Sequence, residues 1–381
     1  MTQRGLHLAI IAGEASGDTH GAALMHALRE THPGVRFTGK GGPKMAGEAA
    51  LSDGTLDHWI AEAGVLGLWD VLRHYGYFRK KFRSLLEELA ADPPAALILV
   101  DYPGFNLRLA KAVRKRGIPT RIIYYISPQV WAWNRRRIPE MARTLDLMIC
   151  IFPFEKDLYE TSGLPTVFAG HPLAGELHAV PTEERDAGLL GLFPGSRTRE
   201  VVRIFPAMLG AAALIHQSRP EIRFEVAAAS QAHAELLQEM ITAKGIGMTV
   251  STGGSRALMR RAAAGLVCSG TATLEAACLG LPYALVYKVA TLTYEVGIRV
   301  IRVPYLGMVN ILANRPVIRE FIQHAATPAA LADEALRLLN SREARDRLSA
   351  DLAGVVGSLG GSETDSASVR AARAVMDCLE Q

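Results

Sequence analysis

The chain has 381 residues, 49% of them hydrophobic and 21% charged, enough to build two domains with separate cores. A net charge of +4, with no recognised binding motif, argues against a nucleic-acid protein. The four cysteines, Cys150, Cys268, Cys278 and Cys378, show no CxxC spacing and fall mostly in apolar runs, so they read as reduced thiols of a cytosolic protein rather than a disulfide frame or a zinc site.

The first apolar run, residues 6–12, is too short for a signal-peptide core, and no apolar run approaches membrane-spanning length. It reads as a strand, followed by the loop Gly13-Glu14-Ala15-Ser16-Gly17-Asp18 and a helix to Glu30. That loop is neither GxGxxG nor GxxxxGK[ST], so it supports neither a dinucleotide site nor ATP hydrolysis. After a strand at 36–39 comes a basic and aromatic segment. Val65, Leu66, Leu68 and Trp69 precede Arg73, and Tyr77 and Phe78 are interleaved with further cations. Such a segment suits seating in lipid headgroups, and it reads equally well as a helix packed on its own sheet with a solvated basic face. Residues 1–170 carry 21 Lys/Arg against 17 Asp/Glu and the remainder 21 against 21, so the positive excess belongs to the N-terminal half.

The pattern continues with a strand at 95–100, a helix at 107–116 and strands at 121–126 and 146–152. Asp101, at the tip of the 95–100 strand and followed by Tyr102-Pro103-Gly104-Phe105-Asn106, reads as a general base, with helix capping as the alternative. Gly and Pro cluster around 169–173, which marks a domain boundary. The alternation then restarts, with strands at 189–193, 224–228, 265–268 and 283–287 and a helix after Arg199. Cys268-Ser269-Gly270-Thr271-Ala272-Thr273-Leu274-Glu275 joins a strand to a helix through small hydroxyl-bearing residues, a cradle for a diphosphate on a helix N-terminus. Glu275, about one turn in, could accept both hydroxyls of a ribose, while Ser/Thr followed by Glu is also an ordinary capping arrangement. Strands alternating with helices in both halves give an α/β protein of two doubly wound, Rossmann-like domains, whose strand-end loops are expected to face a central cleft.

Seven motifs in order resemble the lipid-A-disaccharide synthase family: residues 13–18, 101–106, Ser127-Pro128-Gln129-Val130-Trp131-Ala132-Trp133, Phe152-Pro153-Phe154-Glu155, Gly170-His171-Pro172, Pro194-Gly195-Ser196-Arg197 and 269–275. The resemblance implies a GT-B glycosyltransferase, peripheral on the cytoplasmic face of a Gram-negative inner membrane. It implies a reaction joining UDP-2,3-diacylglucosamine to 2,3-diacylglucosamine 1-phosphate in a β-1,6 linkage, with release of UDP. The domains then read as an acceptor and membrane domain at 1–172, a UDP-sugar domain at 173–345 and a segment at 346–381 returning to the first. No cofactor is implied, and any oligomer would be a homodimer.

The chain has no Asp-x-Asp triplet to hold a divalent metal, so protein donors must neutralise the departing diphosphate. Gly195, Ser196 and Arg197, with Ser269, Gly270, Thr271, Thr273 and Glu275, are the expected UDP-sugar contacts, a guanidinium fork beside aligned N–H groups. The resemblance carries over directly at Arg197 and at Asp101, the first choice for the base if the linkage inverts, with Glu14 and His20 in reserve. It also suggests Asn310, in Met308-Val309-Asn310-Ile311-Leu312, as a diphosphate or uracil contact. His171, Trp131 and Trp133 could line the site, and packing explains them as well. Arg135, Arg136 and Arg137 could meet the acceptor phosphate, although a solvated charge run explains them too. Tyr102-Pro103-Gly104 departs from the Ala-Pro-Asp of some relatives, and Trp133-Asn134-Arg135 from a common Trp-Arg-Gln, which leaves acyl length and acceptor preference open. The rival readings are a UDP-N-acetylglucosamine 2-epimerase-like enzyme of the same architecture and a noncatalytic peripheral membrane module.

Overall fold

A computed structural model describes residues 5–52, 54–60, 75–178, 184–301, 303–360 and 365–381. Val65, Leu66, Leu68, Trp69 and Arg73 lie outside the described residues, as do the side chains of Tyr77 and Phe78. The chain divides into two units, one made of residues 1–172 and 359–381 and the other of 173–358. The return to the first unit therefore begins at Leu359 rather than at 346, because helix Arg342–Ser358 keeps Leu348, Leu352 and Val355 in the second unit's core.

In the first unit, strands β1 (His7–Ala12), β2 (Arg36–Gly41), β3 (Thr55–His58), β4 (Ala96–Val100), β5 (Arg121–Tyr125), β6 (Leu147–Cys150) and β7 (Thr166–Phe168) form one sheet in the order β3-β2-β1-β4-β5-β6-β7. Every described pairing in it is parallel. The central strands are apolar runs buried over β4 and over all but the first residue of β1 and β5, as a sheet covered on both faces requires. Helix Ala15–Thr31 turns Leu24, Met25 and Leu28 inward at helical spacing, and helix Ala367–Glu380 packs beside it. Strand β1 leads directly into that helix, so Ala15 to Asp18 form its first turn rather than a loop.

Asp18 is buried, and its carboxylate accepts backbone N–H groups of Gly42, Lys44 and Met45 at 2.9, 3.1 and 3.0 Å. These are the unpaired donors at the start of helix Pro43–Ala50, so Asp18 caps a helix remote in sequence. A second buried carboxylate organises the other end of the sheet. Glu155 accepts from the Ser127 hydroxyl at 2.5 Å, the Trp131 indole N–H at 2.8 Å and the Phe152 N–H at 3.2 Å. The Tyr159 hydroxyl closes the group by donating to the Pro128 carbonyl at 3.1 Å. Trp131 is thus fixed in the core, with Phe154 edge-on to its ring at 4.9 Å, whereas Trp133 is 47% exposed.

The second unit repeats the scheme with β8 (Asp186–Phe193), β9 (Arg223–Ala228), β10 (Thr249–Thr252), β11 (Ala262–Cys268), β12 (Tyr283–Tyr287) and β13 (Glu320–Ile322), in the order β10-β9-β8-β11-β12-β13 and again parallel. Helix Thr198–Ser218 is the one helix among the described residues long and apolar enough to cross a membrane by length and composition. Its apolar face, including Val201, Ile204, Phe205 and Met208, is core of this unit, and helix Pro328–Asn340 packs against it.

Burial pushes the Glu155 carboxyl up from 4.5 to about 7, against the donors that favour its ionised form. His171, whose ring lies tilted against Phe152 with centroids 5.3 Å apart, is pushed down from 6.5 to about 4, by burial first and the charge of His20 second. A raised acid stabilises the fold below its unfolded value and loses that contribution as pH rises through the folded one; a depressed base does so as pH falls. Glu155 therefore costs stability from pH 4.5 to 7, while His171 adds it from pH 4 to 6.5. The Glu155→Gln variant should keep the histidine's rise alone. Its unfolding free energy relative to wild type should shift in its favour by about 3 kcal/mol between pH 4.5 and 7, measured by urea denaturation. A difference that does not vary with pH would show that Glu155 is not the group titrating there.

Candidate active site

Each sheet reverses its strand order once, between β1 and β4 in the first unit and between β8 and β11 in the second. At such a reversal the loops leave the carboxyl ends of neighbouring parallel strands in opposite directions and open a crevice.

In the second unit a cavity of about 430 Å³ lies at the ends of β8 and β11. Gly195, Ser196 and Arg197 line one side, and Ser269, Gly270 and Thr271 the other, with Glu275 also on the wall. Gly195 has φ +113°, and a Cβ there would come within 2.7 Å of Glu200 Oε2, so the turn after β8 accepts no side chain. Gly270 has φ +144°, with nothing within 4 Å of where a Cβ would sit. Helix Thr271–Cys278 starts there without a side-chain cap, its first turn open to the cavity. The Ser269 N–H is taken by the Val286 carbonyl at 3.1 Å, so the donors for an anion come from the helix start.

Arg197 is 83% exposed and pairs with Glu200 at 3.1 Å. An exposed pair of this kind contributes little, so the guanidinium can turn to a stronger anion at small cost. Cys268 lines the same wall, and its thiol is pushed up to about 12 by burial and then by Glu200, which leaves it an inert small side chain.

Three residues assigned to this site behave differently. Thr273 is buried and donates its hydroxyl to the Gly270 carbonyl at 2.7 Å, so it shapes the turn instead of facing a ligand. Asn310 is 1% exposed and fully engaged. Its amide donates to Ile318 O and Glu320 Oε1 at 2.9 and 2.8 Å, and its carbonyl accepts the N–H groups of Val317 and Ile318 at 2.8 and 2.9 Å. That hydrogen bonding leaves it no group for a diphosphate or uracil. Glu275 lines the cavity, but its Oε1 already accepts two bonds from Arg256, at 3.1 and 2.9 Å, and Arg256 also holds Glu176 at 2.5 Å. Glu275 can serve a hydroxyl through its remaining acceptor capacity rather than as an unengaged carboxylate.

Arg256 escaped the sequence reading because it sits in a short helix, Ser255–Arg261, outside any motif. Glu200 was legible in principle, three residues beyond Arg197 and therefore on the same helical face.

In the first unit, Asp101 and Tyr102 both have positive φ, 46° and 50°, a strained pair for residues with side chains. The strain is held from several sides. Asn106 donates to the Val100 and Asp101 carbonyls at 3.2 and 2.7 Å, and the Tyr124 hydroxyl to the Asp101 carbonyl at 2.6 Å. The Tyr102 ring covers Gly13 so closely that a Cβ there would lie 2.2 Å from it. Helix Pro103–Lys115 begins at once, four residues earlier than its apolar pattern suggests, because Pro103 suits a first helical position. Asp101 does not cap it, as the preceding residue is Tyr102 and no side-chain cap bond forms. Its carboxyl is raised above the ordinary range, by burial first and then by the charge of Glu14. Asp101 and Glu14 therefore sit together at the ends of the neighbouring strands β4 and β1, with Glu14 exposed at the start of helix Ala15–Thr31. The charge of His20 is felt instead by His171.

Residues 8–371 match the family described as Lipid-A-disaccharide synthetase. The lipid-A-disaccharide synthase of Geobacter sulfurreducens is 38% identical over 393 residues, covering 100% of this chain and 99% of that one. Among solved structures, one from Listeria monocytogenes assigned as a UDP-N-acetylglucosamine 2-epimerase superposes with TM-score 0.63 at 14% identity, over 99% and 97% of the two chains. CalG4, a calicheamicin glycosyltransferase, gives TM-score 0.58 at 15% identity, over 100% and 99%. At these identities the structural likenesses speak to fold, and the fold is the GT-B type.

With four hydrogen bonds inside the fold, Asn310 should behave as a structural residue. Asn310→Ala is expected to lower the unfolding free energy by about 2–4 kcal/mol in urea denaturation, since it strands buried donors and acceptors. A loss below about 0.5 kcal/mol, the size of an ordinary surface change, would contradict that assignment.

Proposed function

The chain belongs to the lipid-A-disaccharide synthetase family, and from that premise we propose that it transfers 2,3-diacylglucosamine from UDP to the 6-hydroxyl of 2,3-diacylglucosamine 1-phosphate, with inversion to a β-1,6 linkage. It is a glycosyltransferase of the lipid A pathway. The observation that carries the finer reading is the 430 Å³ cavity that joins Arg197 to the open helix start at Gly270. A guanidinium fork free to turn to the anion and a helix N-terminus suit the charge that builds on a departing diphosphate.

In this mechanism Asp101 takes the proton of the acceptor 6-hydroxyl. The resulting oxygen attacks the anomeric carbon of the donor on the face opposite UDP, the bond to the diphosphate oxygen breaks, and the negative charge passes to UDP. A carboxyl held above its ordinary value by burial is a better proton acceptor than a solvated one. Glu14 contributes by raising Asp101 rather than by taking the proton itself. Both substrates carry acyl chains, so the enzyme works against a lipid surface, peripheral to the inner membrane. The basic and aromatic segment around Trp69 and Arg73 is the candidate contact.

The test is UDP release from UDP-2,3-diacylglucosamine with and without the diacylglucosamine 1-phosphate acceptor. Wild type should release UDP only with acceptor, and Asp101→Ala should lose release while UDP still binds. Arg197→Ala should weaken UDP binding about 10- to 100-fold, the loss of one charge-assisted contact. UDP-sugar isomerisation without acceptor would instead establish an epimerase. A second readout isolates the base: the acid limb of the kcat/KM profile should lie above the ordinary carboxylate range and move down in Glu14→Gln, which removes one of the two causes that raise Asp101. A limb that stays in place in that variant would assign the titration to another group.

A further inference from the structure

Along the helix that follows Asp101, the first unit carries a cavity of about 190 Å³ that the mechanism above does not use. One wall is helix Pro103–Lys115, which presents Gly104, Arg108 and Lys111 at helical spacing; the other is the turn Arg135–Arg137 and helix Ile138–Thr144, which bring Arg137, Glu140 and Met141. Lys111 donates to Glu140 at 2.5 Å, and the Arg137 guanidinium carbon lies 5.7 Å from the centre of the exposed Trp133 ring. Arg108 makes no hydrogen bond or ion pair with any side chain among the described residues. The groove therefore sets three cations against one carboxylate, and the surplus of two equals the charge of a phosphate monoester near neutral pH. No atom lies within 4 Å of a Cβ placed on Gly104, so the first turn of the helix is open on this side.

We infer that this groove binds the phosphate monoester of the acceptor sugar, with Arg108 and Arg137 as its principal donors and Lys111 completing the charge. The inference rests on the transferase reading and adds an anchor to it. Arg108 lies in the helix that begins two residues after Asp101, so base and phosphate anchor are carried on one strand-to-helix connection. An acceptor held at its phosphate by this helix would have its opposite end, the hydroxymethyl, available to the carboxyl at the helix start. Arginine suits the task because its planar fork pairs two N–H groups with two phosphate oxygens. An ordinary solvated charge run would put its cations on one exposed element with neighbouring carboxylates as partners. Here they converge from a helix and a turn on one concavity that a second helix closes, and Arg108 has no such partner among the described residues.

The experiment compares two acceptors, diacylglucosamine 1-phosphate and the same sugar with a free 1-hydroxyl, in neutral detergent micelles. Wild type should prefer the phosphorylated acceptor in kcat/KM. Arg108→Gln and Arg137→Gln together should reduce that preference about 10- to 100-fold through KM, and Arg108→Lys should restore part of it. UDP affinity and thermal midpoint report whether the variant remains folded. Equal losses on both acceptors, or an unchanged preference, would overturn the phosphate subsite, as would a wild type that does not discriminate. An effect that appears only when anionic vesicles replace the micelles would assign the groove to lipid headgroup phosphate and overturn the acceptor assignment. Absence of acceptor-dependent UDP release in wild type is a different failure, of the transferase reading itself.

Discussion

The single reversal of strand order in each parallel sheet is the constraint on which both sites depend. Right-handed crossovers from β1 run one way to β2 and from β4 the other way to β5, so the loops after β1 and β4 part and leave backbone exposed between them. Gly13, Glu14 and Asp101 occupy that gap, and Gly195, Arg197 and Gly270 occupy its counterpart between β8 and β11. The strands that form the floors are apolar and buried through the halves that lead into these loops, so the polar chemistry lies beyond their carboxyl ends. The same topology makes the candidate cradle and the proposed base independent features, each held within one unit.

The two sites solve opposite electrostatic problems. An anion cradle must attract charge from water and release it again, which suits an exposed Arg197 lightly held by Glu200 and a helix start with no side-chain cap. A base must prefer a proton more than an exposed carboxylate does, which suits a partly buried Asp101 beside another carboxylate. Neither property follows from residue identity alone. Glu334 also pairs with arginines, Arg319 at 2.8 Å and Arg337 at 2.7 Å, yet it is 1% exposed on helix Pro328–Asn340 and lines neither site.

The sequence made the central strands and their terminal loops legible, because buried parallel strands are uninterrupted apolar runs and the loops after them carry Gly, Ser and Asp. It did not reveal β3 and β10, whose residues Thr55–His58 and Thr249–Thr252 are polar edge strands without an apolar signature. Motif order correctly drew attention to Glu155, Trp131 and Asp18, but a motif does not distinguish a residue that touches a ligand from one that holds the fold. Here Ser127, Trp131 and Glu155 form a core hydrogen-bond group, and Asp18 caps a helix begun 25 residues later. The same ambiguity moved Thr273 and Asn310 from the site into its supports. Arg256 shows the converse case, a long-range partner of Glu275 that no local pattern announces.

The conformation of Asp101 and Tyr102 ties stability to the proposed chemistry. Two consecutive non-glycine residues at positive φ cost on the order of 1–3 kcal/mol each, and glycine at either position would relieve that cost. Glycine at 101 would remove the carboxyl, and glycine at 102 would remove the ring that covers Gly13 and meets Trp59 and Phe105. The side chains are therefore worth the strain for what they contribute, and Asn106 and Tyr124 offset it through bonds to the carbonyls of the kink. A carboxyl fixed in this way loses little freedom when it meets a substrate hydroxyl, which is the advantage a positioned base has over a mobile one. The strain also explains why the aromatic cluster of Trp59, Tyr102 and Phe105 sits at a strand end rather than in the middle of the core: it clamps the segment whose backbone has most reason to relax.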